Sequence, residues 1–124
     1  MEAGTTFLRA DNDRHLWILI SDPAVDPDQV LIVNLTSVVE RKEKICLLHP
    51  GDHPWIRHET CVNYADAVVT TVGKLRAAKD GGAIILQELL SAGVLQRIRE
   101  AAMSSTRISL DHADILINQR LVGP

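Results

Sequence analysis

Two short apolar runs dominate the pattern of the chain, Leu16 to Ile20 and Val30 to Leu35. Both are bounded by turn residues and are rich in Val, Ile and Leu, which predicts buried strands over His15–Ser21 and Val30–Thr36. The eight residues between them, Asp22 to Gln29, carry Asp22-Pro23 and Asp26-Pro27. Asx-Pro pairs favour turns, and a connector this short excludes a parallel crossover, so the two strands are expected to be antiparallel neighbours. Period two puts Val30, Ile32, Asn34 and Thr36 on one face of the second strand and Leu31, Val33 and Leu35 on the other. One face thus turns polar where the strand ends, a plausible rim for a site.

The same criteria predict a first strand over Thr5–Ala10, a polar turn at Asp11-Asn12-Asp13, a brief strand over Ile45–Leu48 and a long one over Thr60–Thr70. In the long strand Cys61, Asn63, Ala65 and Ala67 alternate with Val62, Tyr64, Asp66 and Val68. Glu40 to Lys44 reads as a charged turn, and His49 to Glu59, with two prolines and a glycine, as a loop. Five short strands with turns between them imply a small, strongly bent β barrel. Beyond them the pattern changes. Gly73–Asp80 suits one or two helical turns stopped by Gly81-Gly82. Ser91 is a natural N-cap for a helix to about Ser104, whose stripe is Val94, Leu95, Ile98, Ala101 and Ala102. Arg107 to Pro124 fits either an edge strand or a short final helix.

The 124 residues form one domain, 1–124, without repeats or an interdomain linker. Aromatic residues are only 3%, so Val, Ile, Leu and Ala must build the core, with Trp17 and Trp55 as anchors. No apolar run is long enough to span a bilayer, and Met1-Glu2 opens no signal peptide, so a cytoplasmic protein without membrane contact is expected. Cys46 and Cys61 match no disulfide or zinc spacing and read as buried reduced thiols. The net charge of −3 argues against a broad nucleic-acid footprint but is compatible with a small cleft handling a few nucleotides. Basic clusters at Arg41-Lys42-Lys44, Lys74-Arg76-Lys79 and Arg97-Arg99 suit solvated faces.

Histidine carries most of the candidate chemistry. His49, His53 and His58 share one loop with Asp52, Arg57 and Glu59, a composition suited to acid–base work; equally, His49-Pro50 and His53-Pro54 suit turn punctuation, with Trp55 and Ile56 plugging the barrel end. A metal set drawn from His49, His53, His58 and Cys61 is disfavoured, because the prolines break the helix that would align ligands at i and i+4. Trp17 and Trp55 also have faces on which bases stack.

The strand ending Ile20-Ser21-Asp22-Pro23, the loop, and Val30-Leu31-Ile32-Val33-Asn34-Leu35-Thr36-Ser37 resemble the paired central strands of the MazF/PemK family of toxin endoribonucleases. Gly4-Thr5 stands where that family has Gly-Asp, His15-Leu16 where it has Arg-Pro, and Thr36-Ser37 matches its terminal Thr-Ser pair. Thr60 to Asp66, TCVNYAD, is similar to the next core strand, so the likeness spans roughly three quarters of the chain. Two features depart from the family: its functional arginine is a histidine here, with Arg14 one place earlier, and the long loop after the first strand is almost absent.

The resemblance implies a mainly β (α+β) fold, a small SH3-like bent barrel with a C-terminal helix. It also implies a metal-independent endoribonuclease without cofactor that acts on single-stranded RNA as a homodimer and is neutralised by a small antitoxin protein. His15 would be acid or base, Thr36 would hydrogen-bond the phosphate, and His53 or His58 would protonate the leaving oxygen. Arg14, Ser37, Asp52 and Arg57 would hold the RNA. Successive strand residues face opposite ways, so Arg14 and His15 can share one site only where the strand is irregular. The alternative is a non-catalytic barrel that binds a protein segment through the same cleft, favoured by the acidic pI near 5.9 and the missing arginine.

Overall fold

A computed structural model describes residues 1–38 and 43–123 of the chain. Its strands are β1 (Thr6–Arg9), β2 (Asn12–Leu19), β3 (Val30–Ser37), β4 (Leu47–Leu48), β5 (Thr60–Thr70) and β6 (Ile84–Gln87). Its helices are α1 (Val72–Asp80), α2 (Ala92–Ala102) and α3 (Leu110–Asn118). The strands form one antiparallel sheet in the order β4-β5-β3-β2-β1-β6, curled into a half-barrel. This is the mainly β architecture the pattern predicts, a small bent barrel finished by helices. The charged turn read over Glu40 to Lys44, with Arg41 and Lys42 of the first basic cluster, lies largely outside the described residues.

β3 is the centre, and its alternation sets the layers. Leu31, Val33 and Leu35 enter the larger core with Leu16, Ile18, Ile20, Val62 and Tyr64, sealed by Leu95 and Ile98 of α2 and Leu116 of α3. Val30 and Ile32 enter a second core with Phe7, Leu19, Ile84 and the α1 residues Val72 and Leu75. A strand buried on both faces needs a continuous apolar run, which explains VLIV. β2 and β3 pair antiparallel, as expected, with Trp17 opposite Asn34, Ile18 opposite Val33 and Leu19 opposite Ile32. Trp17 is half-buried and stacks on Phe7, ring centroids 6.4 Å apart.

The connector between them is held from both sides. Asp22 Oδ1 accepts from Ala24 N and Asp26 Oδ1 from Asp28 N, each at 2.9 Å, while Gln119 Oε1 at the end of α3 accepts from Asp22 N at 2.8 Å. Side-chain oxygens of Thr71, Ser91 and Ser109 cap the three helices. Tyr64 Oη donates to Ile98 O at 2.6 Å and so ties β5 to α2. Gly4 lies at φ +87°, where a Cβ would stand 3.2 Å from Leu90 O, so this turn requires glycine.

Several boundaries differ from the pattern. The β1–β2 turn is confined to Ala10-Asp11, and β2 begins at Asn12 because Asn12 pairs with Arg9. The brief strand before the histidine loop is only Leu47–Leu48. A sixth strand, β6, is absent from the sequence reading; it forms because β1 offers it an antiparallel partner from Thr6 to Arg9. The open choice over Arg107 to Pro124 resolves as helix α3, capped by Ser109. Among the described residues, no helix is long and apolar enough to cross a membrane.

Candidate functional site

The polar rim predicted at the end of β3 borders a cleft of about 790 Å³. Its floor is Leu35, Thr36 and Ser37 of β3, next to Thr60, which begins β5 directly opposite Ser37. The β2–β3 ladder ends at the Trp17–Asn34 pair, and His15 lines the cleft two residues beyond it. The histidine loop supplies Pro54, Trp55, Arg57 and His58, and the residues closing β6 supply Gln87 and Glu88.

Arg14 and His15 both line this cleft despite being consecutive. The reason lies in the β1–β2 register: Phe7 pairs with Trp17 but Arg9 with Asn12, so two steps along β1 match five along β2. The excess falls on the segment that contains Arg14 and His15, and strict alternation is lost there.

His15 Nδ1 lies 2.9 Å from Leu35 O. A carbonyl can only accept, so Nδ1 carries the hydrogen and Nε2 of the neutral ring keeps its lone pair. His58 is exposed, with Nε2 3.3 Å from Ser37 Oγ. Arg14 and Arg57 make no ion pair among the described residues. Glu88 is the one carboxylate among the described lining residues. The cleft is therefore locally cationic in a chain whose net charge is −3.

The loop that forms one wall is rigidly built. Asp52 Oδ2 accepts from His49 N at 2.9 Å, while Asp52 Oδ1 faces Arg97 Nη1 of α2 at 3.4 Å. Ile56 plugs the larger core as expected, and Trp55, half-buried, packs beside it and onto the cleft. His53 is only 2% exposed. Its Nδ1 accepts from Trp55 N at 3.0 Å, and its Nε2 donates to Glu88 O at 2.7 Å and lies 3.2 Å from Thr6 Oγ1.

The structure thus gathers Arg14, His15, Thr36, Ser37, Arg57 and His58 in one cleft and leaves Asp52 and His53 behind its wall. Both of those organise the loop. Among the described residues, no three His, Cys, Asp or Glu side chains are grouped so that they could hold a metal ion. Cys46 and Cys61 are both buried, and burial pushes the Cys46 thiol up. Thr60, Gln87 and Glu88 are cleft residues that the sequence reading missed. Their signal was available: Gln87 and Glu88 end the apolar run Ile84–Leu86 in the same way that Thr36 and Ser37 end β3.

No family model, no curated protein and no solved structure matches the chain. Fold and site together define it as a mainly β half-barrel with a cationic, histidine-bearing cleft at one end of its sheet.

Proposed function

We propose that the cleft binds single-stranded RNA and cleaves it without a metal, by attack of a ribose 2′-hydroxyl on the adjacent phosphate. The observation that carries this reading is the pairing of two imidazoles with two guanidiniums that form no ion pair among the described residues, and with the hydroxyls of Thr36 and Ser37, in one cavity. His15 Nε2 takes the proton of the 2′-hydroxyl, because Nδ1 is already committed to Leu35 O. The 2′-oxygen then bonds to phosphorus as the bond to the 5′-oxygen breaks. His58, in its protonated form, gives that oxygen a proton, with Ser37 Oγ orienting Nε2 beforehand. Arg14, Arg57 and the Thr36 hydroxyl stabilise the charge building on the phosphate. Products are a 2′,3′-cyclic phosphate and a free 5′-hydroxyl.

The resemblance to MazF/PemK toxins supports the same chemistry, with a small antitoxin partner, a homodimer and a cytoplasmic site of action. Exposed Ile85, Leu86 and Leu89 on and beside the edge strand β6 suit a homodimer. The test is incubation of purified protein with mixed RNA in EDTA, followed by analysis of the ends. Cyclic phosphate and 5′-hydroxyl termini are expected, and His15→Ala should lower the rate about 10²–10⁴-fold while lowering the melting temperature only by the few degrees that one lost hydrogen bond costs. RNA left intact between pH 5 and 9, or a His15→Ala variant that cuts as well as wild type, would refute the assignment.

A further inference from the structure

We propose that the corner of the cleft between Trp55 and Glu88 is a nucleobase subsite selective for guanine, an inference that rests on the reading of the cleft as an RNA site. Three observations lead there. Trp55 and Glu88 both line the cavity but come from elements far apart in sequence, the histidine loop and the end of β6. One buried imidazole joins them: His53 accepts from the Trp55 amide at 3.0 Å and donates to the Glu88 carbonyl at 2.7 Å. Thr6 Oγ1 adds a second donor to the same carbonyl at 2.7 Å. The two backbone positions are therefore fixed relative to each other before any ligand arrives, as a recognition site requires.

The third observation is the Glu88 carboxylate itself. It is exposed in the cleft and has no hydrogen-bond or ion-pair donor among the described residues. A carboxylate repels phosphate, so it does not serve the cationic part of the site. It can only accept hydrogen bonds, and its two oxygens accept side by side. Guanine is the standard base whose Watson–Crick edge presents two adjacent donors, N1–H and the N2 amino group. Adenine and cytosine present one amino donor beside a bare ring nitrogen, which a carboxylate opposes. Uracil presents one donor between two acceptors. The indole of Trp55 supplies the face on which an unstacked base rests, the usual mode of single-strand recognition. Charge in the cleft is thus divided, with arginines for the backbone and one glutamate for the base.

The experiment measures binding by fluorescence anisotropy with labelled single-stranded oligouridylates whose 2′-hydroxyls are replaced by hydrogen, so that none is cleaved. One central residue is varied as guanine, inosine, adenine or cytosine. Inosine keeps N1–H and lacks the N2 amino group. Guanine should bind roughly ten- to a hundredfold more tightly than inosine, the discrimination expected of one good bidentate pair. Glu88→Gln should abolish that difference without weakening the binding of plain oligouridylate, because a charge that repels phosphate is removed while the carbonyl that holds His53 remains. Trp55→Leu should weaken every oligonucleotide, and Trp55→Phe should restore most of the loss by keeping a ring to stack on. Equal binding of guanine and inosine by wild type, or a guanine preference that survives in Glu88→Gln, would overturn the subsite and leave the RNA cleft standing. Failure of every oligonucleotide to bind would overturn both.

Discussion

Replacing His53 by alanine is the sharpest test of how the cleft is built. The ring is 2% exposed and engages both its nitrogens with protein. Removing it leaves the Trp55 amide without its acceptor, which costs about 1–3 kcal/mol for a buried donor and less for this partly buried one. The lost bond to Glu88 O adds about 0.5–1.5 kcal/mol. That carbonyl is not orphaned, since Thr6 Oγ1 still donates to it at 2.7 Å. The void left by the ring adds a further amount that depends on how far the loop collapses. Together these give a loss of about 3 kcal/mol, or roughly 10 °C in melting temperature for a domain of this size.

The assay is thermal unfolding followed by far-UV circular dichroism, with RNA cleavage measured well below the transition. His53→Asn retains an acceptor near the Nδ1 position and His53→Gln a donor near Nε2, so each should recover part of the loss. Cleavage by His53→Ala should fall much less than by His15→Ala, because no ring nitrogen of His53 reaches the cleft. An alanine variant melting within about 2 °C of wild type, yet inactive, would refute this reasoning and return His53 to the chemistry.

Three further outcomes follow from the same structure. Burial alone would raise the Glu43 carboxyl, but hydrogen bonds from Ser105 and Thr106, with Arg107 nearby, hold it below its ordinary value of 4.5. A depressed carboxyl contributes stability that is present above its unfolded pKa and lost as pH falls through its folded one, so Glu43→Gln should flatten the fall in stability below about pH 4.5. Tyr64→Phe removes the donor to Ile98 O and should cost about 1–2 kcal/mol in denaturant unfolding, with no change in cleavage below the transition. Binding of uncleavable oligouridylate should depend weakly on salt, with a log–log slope near −1.4 for two backbone contacts by Arg14 and Arg57; a slope several times steeper would mean a footprint beyond the cleft.

What the sequence disclosed, and what it hid, divides along physical lines. β3, the paired strands β2 and β3, β5 and the Ser91 cap were legible because local pattern and tertiary burial agree there. The rim at Thr36 and Ser37 was legible for the same reason, since polarity changes along one face of a single strand. β6 was not, because its four residues present only Ile84 to a core and leave Ile85 and Leu86 exposed, which erases the alternation. The shared placement of Arg14 and His15 depends on a register slip between β1 and β2, a property of the pair that neither strand carries alone. The burial of His53 was hidden for a similar reason: Thr6 and Glu88 enclose it, 47 and 35 residues away.

The five histidines show how environment, rather than residue type, separates chemistry from structure. His112 sits in the first turn of α3, where its backbone amide donates to the capping Ser109. His49 is exposed, with its ring 3.4 Å from the Glu59 carboxylate and outside the lining of the cleft. His53 has a backbone partner on each ring nitrogen and lies outside the lining of the cleft, so both nitrogens serve the loop. His15 commits one nitrogen to a carbonyl and His58 one to a serine hydroxyl, and both rings line the cleft. A carbonyl partner fixes the tautomer, which leaves His15 Nε2 bare and able to accept. A hydroxyl partner can donate or accept, so Ser37 can stay bonded to His58 in either protonation state. In the proposed cleavage the two ends of the proton transfer would therefore differ in how they are held: His15 by a carbonyl that fixes its tautomer, His58 by a hydroxyl that can follow either state.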